Sequence, residues 1–168
     1  MRIIGIDPGL QRMGWGVLDA RDNRLSFVAE GTLTTKPKTP LWDRLVELYD
    51  GLAAVLETWM PEHAAVEETY VNKNPKSTLK LGQARAVALL VPAQKGLVVG
   101  EYSPNLVKKT VVGAGHASKD QVLMMVKTLL PGSGNAGPDA ADALAMAICH
   151  AHHYESQMRL QAAVGNGR

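Results

Sequence analysis

Ile3-Ile4-Gly5-Ile6 is a short run of branched apolar residues, closed by an acid and a turn, Asp7-Pro8-Gly9. The run reads as a buried strand. Pro-Gly then turns the chain. A carboxylate at the end of a buried central strand is costly unless its charge is compensated, usually by a metal ion or a cation. Asp7 is therefore a candidate first ligand of a divalent-metal site. The plainer reading is a turn-forming Asp before Pro-Gly, and further acids in the chain must decide between the two.

The 168 residues are enough for one domain with a real core and too few for two large ones. Cys149 is the only cysteine, so neither an intrachain disulfide nor a cysteine zinc cluster can form. A reducing compartment fits, and a cytoplasmic location is expected, with no secretory leader and no membrane-spanning run. The formal charge of +2 does not by itself announce nucleic acid. Two divalent ions bound at an acidic site would make the loaded protein more attractive to phosphate.

Gly14 to Ala20 reads as a second strand and Arg24 to Leu33 as a third, joined by short links into an antiparallel meander. Leu41, Leu45, Leu48, Leu52, Val55 and Trp59 form one helical stripe, opened by Thr39-Pro40 and followed by Pro61. His63 to Glu67 is the next strand, again ending in an acid. Only one of Glu67 and Glu68 can point the same way. A helix over roughly Lys76 to Gln94 follows, which Pro92 is expected to end early. Leu97 to Tyr102 is a fifth strand and Pro104 to Val111 a short helix. Ser118 with Gln121 is a capping box for a helix to about Leu130. Pro138 opens the last helix, and the segment from 156 to 168 is expected to be a frayed tail behind a single domain over 1–155. A meander followed by alternating strands and helices argues an α/β fold, a mixed five-stranded sheet flanked by helices.

The last helix carries Asp139 and Asp142, three residues apart and so on one face. Both lie in its first turns, where the helix dipole favours negative charge. Ala140, Ala141, Ala143, Ala145 and Ala147 surround them and let the helix pack close to a sheet. Two acids on a closely packed face repel each other unless a cation bridges them; the alternative is that they merely cap the helix. Asp7, Glu67, Asp139 and Asp142 are thus four candidate oxygen ligands, which select hard ions such as Mg²⁺ or Mn²⁺. Two such ions a few ångströms apart hydrolyse phosphodiesters. His150 and His153 share the helical stripe but lie about 12 Å further along the axis, too far to share an ion, and read as surface or core-edge histidines. His116, in a glycine loop, is a possible phosphate contact. Lys73, Lys76 and Lys80 cluster beside Tyr70, a basic patch with an aromatic that suits a nucleic-acid groove or, more plainly, a solvated helix face.

Gly5 to Gly9, Val66-Glu67, Leu79 to Arg85, Val107 to Gly113 and Asp139 to Ala145 together resemble the bacterial RuvC-type Holliday-junction resolvases. The resemblance runs to about His152 and implies the RNase H-like fold. It implies that Asp7, Glu67, Asp139 and Asp142 are catalytic metal ligands, and favours Glu67 over Glu68. It implies Mg²⁺, with Mn²⁺ able to substitute, and two ions per site. Tyr70 stands where the family places a DNA-facing aromatic, often phenylalanine; stacking needs only the ring. Lys108 and Lys119 match basic residues kept near the scissile phosphate, although alone they read as solvated charges. The same resemblance implies paired symmetric nicks leaving 5′-phosphate and 3′-hydroxyl ends, a homodimer, and RuvA and RuvB as partners.

Three rivals are weaker. An ATP-binding enzyme of the actin and sugar-kinase class shares the Gly-Ile-Asp-x-Gly opening but needs two such domains. An RNase H-like nuclease acting on structured RNA would not explain Leu79 to Arg85. A non-catalytic junction binder would gain from losing four acids near phosphate.

Overall fold

The structure is a computed structural model that describes residues 1–22, 24–69 and 74–165. Its elements are β1 (Arg2–Asp7), β2 (Arg12–Arg21), β3 (Arg24–Thr34), α1 (Leu41–Trp59), β4 (His63–Glu67), α2 (Pro75–Gln94), β5 (Val98–Tyr102), α3 (Pro104–Val112), α4 (Lys119–Leu129) and α5 (Pro138–Gly165). The sheet runs β3-β2-β1-β4-β5. β1, β2 and β3 pair antiparallel, while β4 pairs parallel with both β1 and β5. This is the mixed five-stranded sheet that the sequence pattern predicts.

Strand alternation sorts the core into two layers. Ile4 and Ile6 of β1, with Ala64 and Val66 of β4, pack against Leu48, Leu52 and Leu56 of α1 and Ala84, Val87 and Val91 of α2. Ile3 and Ala65 face the other way, onto α3, α4 and α5. Parity then puts Asp7 and Glu67, in step with Ile3 and Ala65, on the α5 side.

α5 lies against that side at backbone distance. A Cβ on Gly5 would collide with the Ala143 carbonyl oxygen, and one on Gly14 with the Asp139 carbonyl oxygen. Glycine on the sheet and alanine on the helix together permit this approach. Everything from Ala143 to Ala151 is buried.

The predicted α1 stripe packs on the core: Leu48 and Leu52 are buried, Leu41, Leu45, Val55 and Trp59 pack partly buried beside them, and Arg44 and Leu56 join the buried face. Pro92 does not end α2. The helix runs to Gln94: Pro92 removes one backbone donor, and its carbonyl still accepts from Lys95 N–H and Leu97 N–H. The Ser118–Gln121 capping box forms as expected. Among the described residues no helix is long and apolar enough to cross a membrane.

Candidate active site

Asp7 and Glu67 end adjacent parallel strands, with Ile6 beside Val66 in the register just before them. In α/β sheets the carboxyl ends of parallel strands are where ligands bind. α5 begins over the same edge, because Gly14, the cross-strand partner of Asp7, is the residue on which the Asp139 backbone rests. A cavity of about 230 Å³ opens there. Its polar wall is Asp7, Glu67, Asp142, Lys108 and Lys119, and Val107, Val122 and Met146 supply apolar lining. α3 and α4 carry the two lysines to it, held by the N-caps Ser103 and Ser118.

Asp139 is not on that wall. Its Oδ2 accepts from Arg12 Nε at 2.5 Å. Asp142 is likewise engaged, accepting from Lys119 Nζ at 3.3 Å. Arg85, on α2, donates through Nε to the Glu67 carbonyl at 2.8 Å and pairs with Glu101 on β5. That fixes the end of β4 from below.

Burial dominates the electrostatics of the two strand-end acids, and like charges add to it. Burial pushes the Asp7 carboxyl up to about 7, helped by Glu67, Asp142 and Asp139, with Lys119 opposing. Burial also raises Glu67, with Asp142 adding and Lys119 and Lys108 opposing. Lys119 is raised in turn, chiefly by Asp142. Asp142 thus makes both Asp7 and Glu67 harder to ionise, and the nearby lysines oppose this.

Among the described residues no three His, Cys, Asp or Glu side chains stand close enough together to hold an ion as they are. The donor chemistry nonetheless fits a hard divalent cation. It is oxygen-only, partly desolvated, self-repelling, and compensated by Arg12 and Lys119 where an ion's charge would be needed.

Of the other residues singled out from sequence, Lys76 and Lys80 are exposed on α2, and His116 is exposed. Tyr70 and Lys73 lie outside the described residues. His150 is not at a surface or core edge: it is 2% exposed. Its Nε2 lies 2.9 Å from His63 Nδ1 and its Nδ1 3.0 Å from the Tyr102 hydroxyl. Burial first, then His63 and His153, push it down to about 4. Arg12 and Arg85 carried no assigned role in the sequence. Arg85 sits in a recognisable motif, whereas nothing in the chain announces that Arg12 meets a residue 127 positions away.

Residues 3–150 match the family described as crossover junction endodeoxyribonuclease RuvC. The chain belongs to the RuvC family. A RuvC of Paramagnetospirillum magneticum is 61% identical over 164 residues, covering 98% of this chain and 99% of that one. The RuvC of Thermus thermophilus, solved in complex with a Holliday junction substrate, superposes with a TM-score of 0.87 at 30% identity, covering 94% of this chain and 96% of that one. A yeast mitochondrial Holliday junction resolvase, Ydc2, shares the fold with a TM-score of 0.65 at 15% identity, covering 94% of this chain and 83% of that one. The chain is thus a nuclease of a metal-dependent family with the RNase H-like fold.

Proposed function

We propose that this chain resolves four-way DNA junctions by paired, symmetric, metal-dependent nicks in recombination and repair, leaving 5′-phosphate and 3′-hydroxyl ends. The observation that carries the reading is one cavity walled by Asp7, Glu67, Asp142, Lys108 and Lys119, with Asp139 near enough to raise the Asp7 carboxyl. Asp7, Glu67, Asp139 and Asp142 hold the metal, Mg²⁺ by preference with Mn²⁺ as a substitute, at two ions per site. When bound, such ions supply Lewis acidity and a nucleophile at neutral pH.

The chain's own residues do the rest. Asp7 and Glu67, fixed by the sheet, set the depth at which a phosphodiester enters. Asp139 and Asp142 close the site from the helix. Lys108 and Lys119 place positive charge where a phosphate's charge grows during displacement. Lys76 and Lys80, exposed on α2, contact phosphate, the role assigned also to Lys73, and Tyr70 serves for stacking.

Two matched nicks require two sites, and a C2 homodimer provides them. Leu79 and Leu90, 67% and 50% exposed, lie three turns apart on one outer face of α2, with exposed Ala86 between them. That apolar face supports a second copy packing there. RuvA and RuvB are the partners that family membership suggests, and a cytoplasmic location accords with this work on DNA. The nuclease domain is taken as residues 1–155, with 156–168 as a tail.

The test is a panel of Asp7→Asn, Glu67→Gln, Asp139→Asn and Asp142→Asn. Each should bind a labelled four-way junction in Ca²⁺ like the parent and lose Mg²⁺-supported cleavage by about a thousandfold or more. A member of the panel that cleaves at the parent rate is not a ligand.

A further inference from the structure

Arg12 opens β2 and reaches Asp139 at the start of α5, Nε to Oδ2 at 2.5 Å. The loop that presents it is braced. The Thr35 hydroxyl donates to the Leu10 carbonyl at 2.6 Å, Thr35 N–H donates to the Gln11 carbonyl at 3.0 Å, and the buried Arg44 Nε donates to Thr35 Oγ1 at 2.8 Å. The Arg12 side chain is itself 56% exposed against 28% for Asp139. Its contact with Asp139 uses the Nε–H and leaves two terminal NH₂ groups for other acceptors.

A guanidinium and a divalent ion compete for the same carboxylate oxygens. An exposed guanidinium displaced from a carboxylate of a DNA-cutting site finds its best alternative in a phosphate, which it can grip with two parallel hydrogen bonds. We propose that Arg12 is an exchangeable counter-ion: it holds Asp139 in the metal-free protein and turns to a DNA phosphate when the ion takes Asp139. The inference rests on the reading of Asp139 as a metal ligand. It makes ion loading and DNA grip reciprocally linked, since whatever draws Arg12 onto DNA frees Asp139 for the ion. Lys119 differs in lining the cavity itself; Arg12 pairs with the one acid that lies off its wall.

The test is Ca²⁺ titration by calorimetry of metal-stripped, DNA-free protein, comparing wild type, Arg12→Gln, Arg12→Lys, Asp139→Asn and the exposed-charge control Lys36→Gln. Arg12→Gln should bind Ca²⁺ about three- to fivefold more tightly, with Arg12→Lys in between. Lys36→Gln should stay within about twofold, since its charge is screened. Asp139→Asn should bind more weakly. In junction binding, the salt dependence of Arg12→Gln should match wild type in EDTA and be shallower by about one phosphate contact in Ca²⁺. Unchanged Ca²⁺ affinity in Arg12→Gln, with Asp139→Asn weakened, overturns the exchange and leaves the ligand assignment standing. Unchanged affinity in Asp139→Asn overturns both. A shallower slope already present in EDTA places Arg12 on phosphate without exchange and overturns the proposal.

Discussion

Gly14 and Asp139 touch through their backbones: the space that a side chain on Gly14 would need is occupied by the Asp139 carbonyl group. Gly14 is also the cross-strand partner of Asp7. One glycine thus sets the separation between an acid on the sheet and an acid on the helix.

Gly14→Ala should therefore lift the first turn of α5. The expected cost is ~2 kcal/mol of stability from overpacking, and a displacement of even 1 Å should reduce cleavage about a hundredfold. Denaturant melts and cleavage rates on one preparation check this. Wild-type values for both would show that the close approach does not place the carboxylates.

Asp7 should govern how metal-free stability varies with pH. Its carboxyl sits near 7 in the folded protein against an ordinary 3.8. Between those values the folded state keeps a proton that the unfolded state has lost, so stability falls as pH rises from 4 to 7. In EDTA, Asp7→Asn should be more stable than wild type at pH 8, by roughly 4 kcal/mol at most, and similar at pH 4. Urea unfolding at the two pH values measures the gap; a gap equal at both would contradict a carboxyl raised by burial and its acidic neighbours.

His150 should act in the opposite sense. Its folded value of about 4 lies below the ordinary 6.5, so its contribution is present above pH 6.5 and lost as pH falls toward 4. The advantage of wild type over His150→Gln should shrink by about 3 kcal/mol across that window. A constant advantage would mean that His150 is not held neutral between Tyr102 and His63.

Lys119 is 82% exposed, so Lys119→Ala should change stability by no more than about 0.5 kcal/mol. Cleavage should nevertheless fall by about 10² to 10³, because the ammonium serves a charge that develops only during reaction. Comparable junction binding with slow cutting is the expected signature, read by single-turnover assay. A simple surface charge would leave the rate unchanged.

The sequence made the fold legible wherever a local pattern had a physical cause. The acid closing Ile3 to Ile6 marked the strand end, Ser118 and Gln121 marked a helix start, and the alanines around Asp142 marked a close-packed helix. What it did not show were pairings distant in sequence. Gly5 and Gly14 look like ordinary strand glycines until α5 is laid on them. Arg12 meets Asp139 only through the fold. His150 looked peripheral because a histidine on an alanine-rich helix gives no sign of the His63 and Tyr102 waiting on β4 and β5. Arg44 defied the apolar stripe of α1 because its guanidinium braces Thr35.

Four acids from three elements, β1, β4 and α5, serve one metal-dependent, junction-selective cutting site in the proposed function. The most direct measurement incubates the protein in Mg²⁺ with a labelled mobile four-way junction and a linear duplex of the same sequences, beside Asp7→Asn and an EDTA control. Paired symmetric nicks in the junction alone, absent with EDTA and with Asp7→Asn, are expected. Equal cutting of the duplex, or junction cutting that survives EDTA or the loss of Asp7, would contradict it.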